Sequence, residues 1–173
     1  MPAGYVLAVG ALEARKAPEL LAAAHARARA AGLRAPLVLA GEGPQRGELQ
    51  SSGATLLGRV PDERMPALYA GALCLVCASS DEGFGFTPLE ALAQGTPAVV
   101  ADLPVFRETL GDAALRFAPG DAEGLADALL RLEREPQLRE RLAEEGATAV
   151  TRLSWRRAAE ATRAVLAEAA AGT

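Results

Sequence analysis

The residues best suited to chemistry lie in one unbroken stretch, Ser79-Ser-Asp-Glu-Gly-Phe-Gly-Phe-Thr-Pro-Leu-Glu90. It begins where an apolar run ends and leads into a helical pattern, so it reads as a strand-to-helix loop. Gly83 and Gly85 let the main chain bend sharply and let a ligand approach it. Thr87 suits an N-cap, Pro88 suits the first helical position, and Glu90 follows the cap at the spacing of a capping box. A helix begun there aims unpaired N–H groups and the positive end of its dipole at the glycines, which is the chemistry of a pyrophosphate site. Glu82 alone would be an exposed loop carboxylate, and Glu90 alone a cap. Together around the glycines they point to a site. A cation is also available: Lys16 is the one lysine among 18 basic residues, a compact ammonium where the rest are planar guanidinium groups.

Positioning these groups requires a scaffold, and the rest of the chain supplies its pattern. Short apolar runs at 5–9, 36–40, 54–57, 73–78, 97–101 and 114–117 read as strands. Most are continuously apolar, as expected where both sheet faces are covered. Helical patterns fall near 17–31, 44–51, 62–71, 87–94 and 104–110, then near 121–133, 136–149 and 154–170. Gly32 stops the first, Pro136 opens a later one, and Ser154 caps the last. Such alternation predicts an α/β fold with a doubly wound parallel sheet, one Rossmann-like domain over residues 1–173, with an alanine-rich tail from 167 that frays. Ligands of open parallel sheets bind at the carboxyl ends of the strands. The loops 10–16, 41–44, 58–62, 79–87 and 102–104 are therefore the places for a site.

Composition narrows the function classes. Half the residues are hydrophobic and the net charge is −4, which suits a soluble globular domain and argues against a nucleic-acid partner. No apolar run is long enough for a transmembrane segment, and Met1 to Tyr5 shows no signal-peptide pattern, so a cytoplasmic protein is expected. Cys74 and Cys77 fall on a strand at an odd separation, which puts them on opposite faces as core thiols rather than a metal or disulfide pair. His25 is the only histidine and is expected on a solvated helix face, which leaves no His-based nucleophile pair. Gly41-Glu-Gly43 invites a dinucleotide reading, but the third glycine, Gly47, comes one residue late. A tight turn before a helix begun at Pro44 fits better. Trp155 is expected to anchor the last helix by packing.

The central stretch resembles the donor-site signature of the retaining GT-B glycosyltransferases of glycosyltransferase family 4. The family's paired glutamates, with seven residues between them, correspond to Glu82 and Glu90, within Glu82-Gly-Phe-Gly85 and Leu89-Glu-Ala91. Further landmarks occur in order: Val9-Gly10 with Arg15-Lys16, Ala40-Gly-Glu-Gly-Pro44, Leu57-Gly-Arg-Val-Pro-Asp62, Gln94-Gly-Thr-Pro-Ala98, Gly111-Asp-Ala-Ala114 and Pro119-Gly-Asp121. The resemblance implies that the chain is the donor-binding lobe of such an enzyme, taking a UDP-, GDP- or ADP-sugar as substrate, with no cofactor and no metal. It implies catalytic roles for Glu82, at the sugar hydroxyls, and Lys16, at the departing diphosphate. Glu90 would bind the ribose. Backbone N–H groups from Gly83, Phe84, Gly85, Phe86 and Thr87 would hold the diphosphate, with Arg15 and Gly10 nearby. Val60 would border the base.

Fixed cations and oriented N–H groups stabilise charge that grows on a leaving diphosphate. No Asp-x-Asp motif for a bridging metal occurs. The resemblance also implies a separate N-terminal acceptor lobe, needed for turnover, as a second lobe or partner chain. Two departures stand out. Ala11 occupies a position where the family often has an arginine, and Ala17 one where glycine or asparagine is common. Ala11 is the feature that favours the alternative of a non-catalytic nucleotide-binding or regulatory module.

Overall fold

The six apolar runs become six strands of one parallel sheet in the computed structural model, which describes residues 4–171. Residues 1–3, part of the signal-peptide expectation, and 172–173, the end of the alanine-rich tail, lie outside the described residues. The strands are β1 (Tyr5–Val9), β2 (Leu37–Ala40), β3 (Thr55–Gly58), β4 (Ala72–Cys77), β5 (Ala98–Ala101) and β6 (Ala114–Phe117). Their order is β3-β2-β1-β4-β5-β6 and every pairing is parallel. The order reverses between β1 and β4. Connections leave those two strands in opposite directions and open a crevice at their carboxyl ends.

The helices are α1 (Pro18–Ala30), α2 (Arg46–Leu49), α3 (Met65–Ala70), α4 (Phe86–Ala93), α5 (Pro104–Leu110), α6 (Ala122–Arg134), α7 (Pro136–Arg152) and α8 (Trp155–Ala171). Strand side chains alternate between two cores. Val6, Leu37, Leu39, Cys74 and Val76 pack on one face with Leu21 of α1 and Leu125 and Leu129 of α6. On the opposite face Tyr5, Leu7, Val38 and Leu75 meet α3, while Cys77, Ala98 and Val100 meet α4 and α5. The two cysteines are thus buried in different cores, as their spacing predicts. Prolines open α1, α5 and α7, and Asp121 caps α6, accepting from the N–H groups of Glu123 (3.0 Å) and Gly124 (2.9 Å).

Several expectations are corrected. His25 is buried, 7% exposed, and its Nε2 lies 2.9 Å from the Ala35 carbonyl, because α1 turns that face toward the loop entering β2. The second helix starts at Arg46, two residues beyond Pro44. The tail from residue 167 continues α8 to Ala171 rather than fraying. Ser154 does accept from the Arg157 N–H (3.3 Å) at the start of α8. Trp155, however, is 86% exposed and anchors nothing, since α8 buries none of its residues. Among the described residues no helix is long and apolar enough to cross a membrane.

Candidate functional site

The crevice is built from the loops after β1 and β4, which are tied together. Beyond β1 the chain passes Gly10 and Ala11 and makes one tight helical turn over Ala14–Lys16. It then adopts a left-handed conformation at Ala17 (φ 48°, ψ 48°), the one non-glycine residue with positive φ among those described. Such a backbone costs a residue with a Cβ about 1–2 kcal/mol, which accounts for the smaller or polar residue expected there. The Ser80 N–H donates to the Arg15 carbonyl (2.9 Å), and Arg15 Nη1 donates to the Asp81 carbonyl (2.8 Å). Arg15 also pairs with Glu13 at 3.1 Å and lies 3.9 Å from Glu82. Its side chain therefore braces the loop after β4 while staying half exposed.

Lys16 and Glu82 are brought into direct contact. The ammonium donates to Glu82 Oε1, and the Ser79 hydroxyl donates to the same oxygen at 2.8 Å. Burial works against the charge on Glu82. The bonds from Lys16 and Ser79 and the positive charges of Lys16 and Arg15 outweigh it and hold the carboxyl below the usual carboxylate range. Ser79 is 1% exposed and also touches Cys77 Sγ at 3.5 Å. Burial pushes the Cys77 thiol up and keeps it protonated.

The glycine loop separates into two kinds of glycine. Gly85 has φ 83°, and a Cβ there would lie 2.6 Å from the buried Phe106 ring, so the fold itself demands glycine. Gly83 lacks positive φ, and a Cβ on it would meet nothing within 4 Å. Helix α4 starts at Phe86 with Gly85 as its cap, two residues earlier than the Thr87 cap the sequence suggests. Thr87 is consequently inside the first turn and makes no capping bond, so the capping box with Glu90 is absent. The first amides of α4 still lack helical partners and face the loop. Phe84 and Phe86 stack on each other, 4.6 Å between centroids and tilted by 37°, and both rings are exposed.

Beside the helix start lies a cleft of about 640 Å³ at the carboxyl ends of β1 and β2, walled by α3 and α4. Gly10, Ala11, Gly41, Glu42, Arg59, Val60, Tyr69, Glu90 and Gln94 line it. Gly10, Val60 and Glu90 thus share one cavity, while Lys16 and Glu82 lie outside its lining. Gly10 connects the two, its Cβ position being 3.7 Å from Lys16 Cε. Ala11 places a bare methyl on the cleft wall. Glu90 Oε2 accepts from the Tyr69 hydroxyl at 2.7 Å. Burial first, then the bond to Glu90 and its charge, raise the Tyr69 phenol and keep it a donor. Neither Tyr69 nor Ser79 was singled out by sequence. Tyr69 sits in a helical pattern as one more apolar position, and only the polar break at the strand end marks Ser79.

Gly41 and Gly43 serve the cleft by close packing. A Cβ on Gly41 would fall 1.8 Å from the Gly10 carbonyl oxygen, and one on Gly43 would fall 2.4 Å from that of Leu12. These glycines let the loops after β1 and β2 touch, with the Leu12 N–H bonded to the Glu42 carbonyl at 2.9 Å. The arrangement offers a carboxylate for paired hydroxyls in a cleft, amides for an anion beside it, and a cation paired with a second carboxylate.

Residues 2–149 match the model of a family described as glycosyl transferases group 1. The chain is 33% identical over 162 residues to O-antigen chain mannosyltransferase B of Escherichia coli, covering 88% of this chain and 42% of that protein. It is 34% identical over 149 residues to the GDP-mannose-dependent alpha-(1-6)-phosphatidylinositol dimannoside mannosyltransferase of Mycobacterium tuberculosis, covering 83% and 38%. Sucrose-phosphate synthase of Thermosynechococcus elongatus superposes with a TM-score of 0.83 at 28% identity, over 99% of this chain and 46% of that one. The chain spans less than half the length of each of these relatives.

Proposed function

The chain belongs to the group 1 glycosyltransferases, and we propose that it is the donor-binding lobe of a retaining, metal-independent member that takes a nucleoside-diphosphate sugar. The observation that carries this reading is the placement of Glu82 and Glu90 on either side of the α4 N-terminus, at the reversal of the sheet order. Glu90 faces the cleft beside Val60, where a ribose and its base fit. The diphosphate then lies against Gly83 and the amides of Phe84 to Thr87. Glu82 meets the sugar beyond.

Sugar transfer breaks the bond between the anomeric carbon and the diphosphate, and negative charge grows on the departing oxygens. Lys16 and the helix start supply positive charge to those oxygens, so they stabilise the transition state more than the bound donor. Lys16 is held by Glu82. An arriving diphosphate draws the ammonium away and frees a carboxylate oxygen for the sugar. GDP-mannose is the first donor to test, because the two sequence relatives described above are mannosyltransferases by name and one is GDP-mannose-dependent by name. The acceptor and turnover belong to a second lobe, and the exposed Leu153, Trp155, Val165 and Leu166 suit contact with it. Ala11 favours the second reading, a nucleotide-binding module without catalysis, since it puts a methyl on the cleft wall and leaves Arg59 as the cation of the lining.

Calorimetric titration of the chain with GDP, GDP-mannose, UDP and UDP-glucose tests the assignment. Glu90→Ala is expected to weaken the bare nucleotide about tenfold or more, the loss of bonds to a charged acceptor. Glu82→Ala is expected to leave the bare nucleotide unchanged or tighter, because Lys16 is released, and to remove the gain in affinity that the sugar brings. Equal losses for the bare nucleotide in both variants contradict this division.

A further inference from the structure

Each of the two glutamates accepts from one buried hydroxyl, Glu90 from Tyr69 and Glu82 from Ser79. We infer that Tyr69 and Ser79 are positioning residues of the donor site, Tyr69 setting Glu90 for the nucleotide and Ser79 setting Glu82 for the sugar. This rests on the functional reading above.

The hydroxyls are fixed and the carboxylates are not. Tyr69 is 2% exposed and packs in the core with Leu7, Val38 and Leu68. Its carbonyl accepts from the buried Thr96 hydroxyl at 2.7 Å, which clamps the end of α3 to the turn after α4. The phenol therefore has one place to be, and it meets Glu90 Oε2 at 2.7 Å. Glu90 itself is on the exposed side of α4 with a long flexible stem. The bond restricts the swing of a carboxylate that lines the cleft.

Ser79 lies two residues beyond the end of β4 and is 1% exposed. Glu82 Oε1 receives Ser79 and Lys16 and, at 3.7 Å, the weaker Cys77 thiol, whereas Oε2 has the distant Arg15 at 3.9 Å. When the ammonium moves to a diphosphate, the Ser79 bond remains. The carboxylate then keeps its orientation at the moment when it must accept from sugar hydroxyls. A structural role alone would have these hydroxyls merely satisfied by the nearest acceptor, with no division between nucleotide and sugar.

The test is titration of wild type, Tyr69→Phe and Ser79→Ala with GDP, GDP-mannose, UDP and UDP-glucose, with thermal unfolding of each variant as the control for folding. Tyr69→Phe keeps the ring and is expected to weaken bare and sugar-linked nucleotide alike, by about tenfold, leaving their ratio unchanged. Ser79→Ala is expected to leave the bare nucleotide within about twofold and to shrink the sugar-dependent gain about tenfold. That crossed pattern supports the inference. Wild-type affinities in both variants overturn it, as do parallel losses that follow lowered unfolding temperatures. A wild type that gains nothing from the sugar overturns the Ser79 half. A wild type that binds no nucleotide overturns the donor-site reading and this inference with it, whereas binding by wild type with unaffected variants overturns this inference alone.

Discussion

At the scale of the residue, the two loop glycines separate fold from function. Gly85→Ala places a Cβ 2.6 Å from the Phe106 ring at a left-handed backbone, and a loss of about 2–4 kcal/mol in urea unfolding is expected from backbone strain plus overpacking. Gly83→Ala meets open space, so stability should change by less than about 0.5 kcal/mol, while on the proposed reading affinity for GDP falls because the methyl stands in the path of the diphosphate. Equal destabilisation by both would refute the distinction. Sequence gave both glycines the same role because φ and the neighbouring ring are tertiary facts. His25 shows the same limit. Its burial depends on α1 facing the entry to β2, which no local pattern reports. Burial lowers its pKa, the bond to the Ala35 carbonyl opposes this, and the Arg29 charge adds to the lowering. The unfolded histidine titrates near about 6.5, so it adds no pH dependence well above that value. As pH falls through that region the unfolded chain binds the proton first, and stability declines until the folded pKa is passed. Urea midpoints should drop between about pH 7.5 and about pH 5.5, and His25→Gln, which keeps a donor toward Ala35, should flatten the drop. An unchanged slope in that variant would assign the effect elsewhere.

At the scale of the element, strands were more legible than helix starts. Strands such as β2 and β5 are continuously apolar because helices cover both faces, and the same runs mark them in sequence. Helix starts depend on one or two dihedrals. Thr87-Pro-Leu-Glu90 carries every sign of a capping box, yet Gly85 begins α4 earlier because its left-handed backbone packs against Phe106. Glu90 is thereby released from capping and bonds Tyr69 instead, so the misplaced cap and the missed tyrosine have one cause. Capping strength can be measured directly. Asp121→Ala removes two bonds at the start of α6 and should cost about 1 kcal/mol. Thr87→Ala removes no capping bond and should cost less than about 0.5 kcal/mol. The reverse ranking in urea unfolding would restore the capping box.

At the scale of the whole molecule, the sheet order brings together loops that are far apart in sequence. Lys16 and Glu82 are 66 residues apart and meet because β1 and β4 are neighbours. Alternation of elements predicts a parallel sheet, and the motif resemblance predicts that these loops cooperate. Neither could foresee that the cation and the carboxylate would pair with each other, which depends on rotamers in the assembled crevice. The last helix lies beyond both cores, with Trp155, Val165 and Leu166 exposed, and on the proposed reading it awaits an acceptor lobe. The location of the nucleotide can be read from backbone amide shifts of the labelled chain during titration with GDP and UDP. Saturable shifts are expected at Gly10, Val60, Gly83, Phe84 to Thr87, Leu89 and Glu90, weakened by Glu90→Ala. Saturable binding whose shifts cluster away from the carboxyl ends of β1 and β4, for instance where α6 meets α7, would contradict it.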